Sequence, residues 1–551
     1  MFSNKENVNI LTALLVAHGV QHAVVCPGSR NAAIVHNLDV CPDIACHPVT
    51  DERSAAFYAL GMAQVLAEPV VVCVTSGTAL LNVAPAVAEA YYQHLPLVVV
   101  SADRPAAWIG QLDGQTLPQQ GALAPFVRRS VTLPEPRNAD ERWYCNRLVN
   151  EALLDATADD HRPVHINVPL TEPLFGFDVV ALPAERVIVR HKPGVDYGCL
   201  PAAFVDDFMA ARRPMIVFGQ VKPQDFEGCG VDYLFSHVIV LHESLANFPS
   251  VSHFDEVLSL GGMPLPDLIV YVGDVIVSKR LRQFLRQAKD AATWRISSSG
   301  DVEDTFCNLR GLIVGDAEFV LQALDQKMGH RKLPATDYRR QWLHALQEAA
   351  ERAVAYVPPF SQMAAVRAFE QRLSVCGGAS APTVHYANSM PVRLANIYAR
   401  HHVWCNRGVN GIEGSLSTAA GCSLVAQDTV FCVIGDLSFF YDQNALWNQH
   451  LSGNLRILLL NNGRGGIFDQ LPGLDQSAAR HRLIAGQHTA TAEGICRQNG
   501  VDYLSARTMD ELTKGIDCLL ATDAPRPLLL EVFTDPATDA EVVKRYLDEQ
   551  K

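Results

Sequence analysis

Two apolar runs near the carboxyl end of the chain, Val430–Ile434 and Leu455–Leu460, each stop at polar residues: Gly435-Asp436 after the first and Asn461-Asn462 after the second. The stretch between them is long enough for a crossover helix, so the two runs read as neighbouring parallel strands. Open parallel sheets bind ligands outside the carboxyl ends of their strands. Asp436 and Asn462 therefore deliver two hard oxygen donors to one place. Such a set suits Mg²⁺, with Mn²⁺ as a second candidate ion, and leaves sites for water and phosphate oxygens. Gly435 lets the backbone approach a phosphate closely, and the helix that follows offers free N–H groups to an anion. The pattern reads as a divalent cation with a diphosphate. The plain alternative is an ordinary strand-turn-helix-strand unit with Asp436 as helix N-cap, and this motif alone leaves the two level.

The same alternation of strand and helix runs through the whole chain, which at 551 residues should form several domains, three by this reading. The first block, residues 1–185, has apolar strands at His22–Cys26, Val70–Thr75, Leu97–Ala102 and Val164–Val168. The second, 186–355, repeats the pattern at Pro214–Gly219, His237–Leu241, Asp267–Val272, Ala292–Ser297 and Gly311–Val314. The third, 356–551, includes Val403–Cys405, Val430–Ile434, Leu455–Leu460 and Leu528–Phe533. The Pro- and charge-rich stretch Leu182–Gly194 and the pair Pro358-Pro359 mark the boundaries. The expected fold class is three doubly wound parallel α/β domains. V-C-V-T-S-G-T-A-L-L-N (72–82) faintly matches F-C-V-I-G-D-L-S-F-F-Y (431–441), which suggests duplicated end domains, with chance as the alternative.

Composition narrows the function classes. A net charge of −14 argues against nonspecific nucleic-acid binding, although one pocket can still be basic. No apolar run is long enough to span a membrane, and the start M-F-S-N-K-E-N-V-N-I has no signal-peptide core. The 14 cysteines are scattered with no C-x-x-C, as expected of reduced thiols in a cytoplasmic protein.

In the first block, P-G-S-R (27–30) follows a strand and V-T-D-E-R-S (49–54) opens a helix. Glu52 at that helix start reads in one of two ways: as a carboxylate that complements the helix dipole, or as a catalytic acid–base group. For a lone glutamate the first reading is the stronger. Its neighbours Ala55, Ala56, Tyr58 and Ala59 form a small-residue face expected to pack against another subunit.

The spacing G-D…N-N resembles that of thiamine-diphosphate (ThDP) enzymes, with Leu437 where a glycine is usual. P-G-S-R, T-D-E-R-S, T-S-G-T-A, S-A-D-R-P, N-S-M-P-V-R, C-N-R-G-V-N-G-I-E-G-S-L-S-T-A-A-G and I-G-D-L-S…N-N-G-R-G-G-I-F, in that order, resemble the 2-succinyl-5-enolpyruvyl-6-hydroxy-3-cyclohexene-1-carboxylate (SEPHCHC) synthase family of menaquinone biosynthesis. That resemblance implies the ThDP-enzyme fold, with a pyrimidine-binding first domain and a diphosphate-binding third domain. It implies decarboxylation of 2-oxoglutarate and addition of the product carbanion to isochorismate. It also implies a homodimer or homotetramer with active sites across subunits.

Residue by residue, the resemblance makes Glu52 the carboxylate beside the cofactor's pyrimidine and places Ser29, Arg30 and Gln115 with it as catalytic residues. Arg104, Lys279, Arg280, Arg393, Arg407 and Phe468 become substrate-binding residues. Arginine is apt because its planar fork grips carboxylates in pairs, and both substrates are dianions. For Arg393 and Arg407 the alternative is a structural ion pair, for example with Glu413; for Lys279-Arg280 it is a solvated basic pair. Ser389, Met390, Gly411, Ile412, Gly435, Asp436, Leu437, Ser438 and Asn462 become cofactor-binding, and Asp436, Asn462 and the Arg464 carbonyl hold the metal. Nothing in the sequence accounts for the Arg464 side chain. Two other readings compete: a different ThDP-dependent decarboxylase or carboligase, and a noncatalytic binding protein on the same scaffold. The arginine set opposes the first. Joint presence of Glu52, Asp436 and Asn462 opposes the second.

Overall fold

A computed structural model describes residues 1–191, 200–223, 231–329, 337–376, 382–448, 450–471, 473–521 and 524–550. The tail of the expected first boundary, residues 192–194, lies outside them. The chain builds three sheets whose named strands all pair in parallel. The first holds β1 (His22–Val25), β2 (Ala45–Pro48), β3 (Val70–Val74), β4 (Leu97–Asp103), β5 (Arg129–Thr132) and β6 (Val164–Pro169), in the order β2-β1-β3-β4-β6-β5. The second holds β7 (Pro214–Phe218), β8 (Ile239–His242), β9 (Leu268–Val272), β10 (Ala292–Ser297) and β11 (Leu309–Val314), ordered β11-β10-β9-β7-β8. The third holds β12 (Thr383–Tyr386), β13 (Val403–Trp404), β14 (Val430–Gly435), β15 (Leu455–Asn461), β16 (Asp502–Ala506) and β17 (Leu528–Phe533), ordered β13-β12-β14-β15-β17-β16.

The first and third orders are the same permutation, so the faint repeat marks a shared topology. Central strands read as unbroken apolar runs because helices cover both faces of a parallel sheet; all of Val70–Val74 and Leu455–Asn461 is buried.

The first and third sheets are joined by helix on helix. Helix Glu52–Leu66 crosses helix Ser415–Ser423 of the same chain with main chain against main chain. A Cβ on Gly61 would lie 2.0 Å from the Thr418 carbonyl oxygen, and one on Gly421 would lie 2.2 Å from that of Tyr58. Only glycine permits that approach. Ala55, Ala56, Tyr58 and Ala59 are buried in this crossing, in one cluster with Leu416, Ala419 and Ala420. The expectation that this face meets another subunit is therefore corrected: its own chain fills it. A stripe of small residues says that a close partner exists, but not on which chain.

The middle sheet reaches the third through loops. Ser244 donates its N–H (3.0 Å) and hydroxyl (2.6 Å) to Asn396 Oδ1, and Gln220 Nε2 donates to the Cys405 carbonyl at 3.1 Å. Among the described residues no helix is long and apolar enough to cross a membrane.

Candidate active site

The carboxyl ends of β14 and β15 lie side by side, with Gly435 paired to Leu460. Asp436 follows at once and is buried. Its Oδ2 accepts the N–H groups of Asn462 (3.1 Å) and Gly463 (2.7 Å), and its Oδ1 accepts that of Leu437 (2.7 Å). It is the first residue of a six-residue helix, Asp436–Tyr441, whose N-cap is Gly435, so the N-cap alternative fails. A Cβ on Gly435 would meet nothing within 4 Å, so open space lies in front of it. Ser438 is buried one turn inside, and Leu437 packs toward Gly465 and Gly486.

Asn462 donates Nδ2 to Asp539 Oδ2 at 3.0 Å, which occupies the nitrogen of its amide and leaves Oδ1 as the acceptor end. Asp539 is held in turn by Thr534 Oγ1 (2.7 Å) and the Gln362 N–H (2.8 Å). Burial raises the Asp539 pKa against these bonds. His488 Nε2 lies 3.4 Å from Asp436 Oδ2, and the neighbouring carboxylate lifts the imidazole pKa against its burial. One carboxylate and one amide oxygen at adjoining strand ends are hard oxygen donors of the kind that Mg²⁺ takes.

The structure supplies the missing account of the Arg464 side chain. Its Nη2 meets Asp469 Oδ2 at 2.7 Å, its Nη1 meets His481 Nδ1 at 2.9 Å, and Arg480 takes the other Asp469 oxygen at 2.5 Å. These contacts fold the chain after Asn462 back over the site, where Gly465 N–H donates to the Ala485 carbonyl (2.7 Å) and His488 N–H to that of Gly463 (2.8 Å). Phe468 sits half-buried in this fold-back.

Ser389 has φ +76° at the start of helix Met390–Tyr398. A left-handed serine costs energy and persists where its surroundings impose it. Beside it, Asn388 Nδ2 donates to the carbonyls of Asn406 (2.6 Å) and Gly411 (2.8 Å), while its Oδ1 accepts Arg407 Nη1 at 3.0 Å. Ile412, next to Gly411, is 43% exposed, so it is no core isoleucine in this chain.

Arg407 is buried, and its Nε has no hydrogen-bond partner. Arg393, on helix Met390–Tyr398, makes no hydrogen bond or ion pair among the described residues; neither arginine pairs with Glu413. Burial, and then the charge of Arg407, lower the Arg393 pKa, while Asp255 and Glu243 oppose them. Arg280 also bears on Arg393 and pairs with Asp255 at 2.5 Å. Lys279 is exposed. Glu243 is fully buried, accepts the N–H groups of Val277 (2.6 Å) and Ser278 (2.7 Å), and is pushed up to about 7 by burial. It thereby fixes the turn into helix Lys279–Leu285. Arg393, Arg407 and Arg280 thus form one electrostatic cluster beside the Ser389 turn.

Of the first-block candidates, Glu52 comes nearest to the third block in bonding: its neighbours Asp51 and Arg53 meet Asn444 Nδ2 (2.7 Å) and the Tyr441 carbonyl (2.9 Å). Asp51 caps helix Glu52–Leu66, accepting the N–H groups of Arg53 (2.9 Å) and Ser54 (3.2 Å). Glu52 is therefore not needed as a cap; it is half-buried and accepts Asn82 Nδ2 at 3.1 Å. Ser29 is exposed, whereas Arg30 is buried on the Leu170 carbonyl (3.1 Å) and Glu172 (3.3 Å). Arg104 pairs with Asp113 at 3.0 Å. Gln115 is exposed with φ +62°, beside Gly77. Among the described residues, no hydrogen bond or ion pair joins Ser29, Arg30, Glu52, Arg104 or Gln115 to Asp436, Asn462, Arg393 or Arg407.

Comparison with known proteins settles the family. Residues 6–123 match the family model described as the thiamine pyrophosphate enzyme N-terminal TPP binding domain. The chain is 42% identical to the 2-succinyl-5-enolpyruvyl-6-hydroxy-3-cyclohexene-1-carboxylate synthase of Bacteroides thetaiotaomicron, over 100% of both chains. It is 35% identical to the enzyme of the same name from Porphyromonas gingivalis, over 99% of this chain and 97% of that one. The same figure holds for that of Desulfotalea psychrophila, over 97% and 99%. The chain belongs to the SEPHCHC synthase family. It is a ThDP-dependent enzyme, and its three sheets are the ThDP-enzyme architecture.

In this SEPHCHC synthase family member, sequence reasoning missed the residues that hold the site in place. Gln119 fixes the turn at Gly77, accepting its N–H at 2.7 Å and donating to the Ala102 carbonyl at 3.0 Å. Asn388, Asp539, His488 and Glu243 were likewise unmarked, because each acts on a partner far along the chain. The one available signal, a polar residue in a largely apolar segment, was offered by Glu243 alone.

Proposed function

We propose that the protein uses ThDP and Mg²⁺ to decarboxylate 2-oxoglutarate and joins the resulting succinyl unit to isochorismate, releasing CO₂ and giving SEPHCHC for menaquinone biosynthesis. The observation that carries this reading is the arginine cluster with an unpartnered Arg393 close to the Ser389 turn: both substrates are dianions, and a pocket for them needs uncommitted cations. ThDP, when bound, supplies the nucleophilic carbon and accepts the electron pair released as CO₂ leaves.

The chain's own residues do the rest. Asp436, Asn462 Oδ1 and the Arg464 carbonyl hold the metal, with Mn²⁺ as an alternative ion. Gly435, Leu437, Ser438, Ser389, Met390 and Gly411 surround the cofactor, and Ile412 and Phe468 form apolar walls. Arg393, Arg407, Arg280 and Lys279 orient substrate carboxylates. Glu52 holds a proton at the pyrimidine N1′, and Ser29, Arg30, Arg104 and Gln115 line the acceptor side. The first block (1–185) serves as the pyrimidine domain, 186–355 as the middle domain and 356–551 as the diphosphate domain. As the family resemblance implies, a second copy completes each site, in a homodimer or homotetramer.

The test has two arms. Purified protein with ThDP, Mg²⁺, 2-oxoglutarate and isochorismate should yield SEPHCHC by mass spectrometry, and absence of product refutes the reaction. Mixing inactive Glu52→Gln with inactive Asp436→Ala chains should restore activity in verified hybrids. No recovery places the whole site on one chain.

A further inference from the structure

Helix Ala84–Tyr92 of the first block carries a glutamate, Glu89, that is only 3% exposed and has no place in the chemistry above. Among the described residues its carboxylate makes no ion pair, although the Arg407 charge acts on it. Oε1 accepts the Gly408 N–H at 2.7 Å and Oε2 the Val409 N–H at 2.7 Å, two consecutive peptides immediately after Arg407. Gln93 Nε2 donates to Oε1 at 2.5 Å and reaches Asn406 Oδ1 at 3.4 Å. Asn406 donates to Thr418 Oγ1 at 2.9 Å. A Cβ on Gly408 would lie 2.8 Å from the Glu89 carbonyl oxygen and 3.1 Å from its Oε1, so the loop comes this close only because residue 408 lacks a side chain. Burial raises the Glu89 pKa, while the Val409, Gln93 and Gly408 bonds lower it.

We propose that Glu89 is the positioning residue of the Arg407 loop: it clamps the peptides of Gly408 and Val409 from the first block and so sets where the Arg407 guanidinium stands. The catalytic consequence rests on the substrate-clamp role proposed above for Arg407. Two bonds to consecutive amides fix the orientation of both peptide planes, whereas one bond leaves the loop free to turn about it. With both carboxylate oxygens on backbone amides, Glu89 acts on the Arg407 guanidinium only through its charge and not by a direct ion pair. Asn388 completes the hold from the other side, through Arg407 Nη1 and the Gly411 carbonyl. Arg407 is then aimed by the first block of its own chain, although it would act in the third.

Glu89→Gln is the decisive variant, because its amide can accept one N–H but presents a donor to the other. Amide hydrogen exchange at Gly408 and Val409 should accelerate at least about tenfold, and the Michaelis constant for one acidic substrate should rise about tenfold with turnover changed far less. In a double-mutant cycle, Glu89→Gln added to Arg407→Ala should cost nothing further. Glu89→Asp keeps the charge but not the reach, and it serves if the first variant does not fold; it should show the same split at smaller size. Unchanged exchange at Gly408 and Val409 overturns the clamp. So does a lower melting temperature with unchanged Michaelis constants, and so do penalties that multiply in full with Arg407→Ala. If Arg407→Ala itself leaves both Michaelis constants unchanged, the substrate role of Arg407 is refuted, whatever the amide exchange shows.

Discussion

At the Asp436 end of the candidate site, both carboxylate oxygens and both ends of the Asn462 amide already have protein partners. At the Arg393 end, one guanidinium has no partner among the described residues and its neighbour Arg407 has a buried, unbonded Nε. The first end is held by backbone amides at two strand ends, so its geometry is set by the chain itself. The second gathers like charges beside only partly compensating carboxylates, which costs free energy until an anion enters. One end is built to be rigid and the other to be completed by its ligand.

The contrast breaks most visibly at Asp436. Asp436→Ala should abolish Mg²⁺-dependent ThDP binding as well as turnover, and calorimetry that finds the cofactor affinity unchanged would move the metal site elsewhere. Next in size is Glu52→Gln, which keeps shape but removes the proton acceptor. Turnover should fall by about 10²–10⁴-fold, a typical contribution of an acid–base group, with ThDP affinity kept; near-normal turnover removes Glu52 from the chemistry.

The arginine end should respond more mildly and with an internal asymmetry. Arg393→Ala and Arg407→Ala should each lower kcat/KM by about one to two decades, as expected for loss of a charge-assisted bond. Arg393→Ala should leave the melting temperature unchanged or raised, since it removes an unpaired charge. Arg407→Ala should lower it modestly, since it breaks the link to Asn388. A large loss of stability in Arg393→Ala with unchanged Michaelis constants would make that arginine structural.

The smallest effect on turnover, and a separate one on stability, concerns Glu243. Its folded pKa of about 7 exceeds the ordinary value of 4.5 because burial disfavours the carboxylate. Its contribution to stability is therefore complete below about 4.5 and lost as pH rises through about 7. The pH-dependent part amounts to roughly 3 kcal/mol. Melting curves of the wild type minus those of Glu243→Gln should decline across that window; a flat difference refutes the assignment.

Much of this was legible in the sequence, for definite physical reasons. Val70–Val74 and Leu455–Asn461 announce themselves because strands buried on both faces must be apolar throughout. The edge strands Ala45–Pro48 and Arg129–Thr132 do not, since one side of each meets no partner strand and their residues are mixed. Asp436 and Asn462 stand out because each strand end is read as a contiguous motif. Asp539, Glu89 and Glu243 stay silent because their partners Asn462, Gly408 and Val277 are remote in sequence, and those of Glu89 and Glu243 are backbone amides, which carry no residue signature.

The crossing at Gly61 and Gly421 has a mechanical consequence. Packed helices slide past one another by small adjustments of the side chains between them. Here main chain lies on main chain at Gly61 and Gly421, and at those two points there is no side chain to adjust. The two duplicated sheets of a chain therefore behave as a single stiff frame. The middle sheet is tied to it differently, through the side chains of Gln220, Ser244 and Asn396 and through Leu245 and Val277, whose side chains can adjust within the core of the third block.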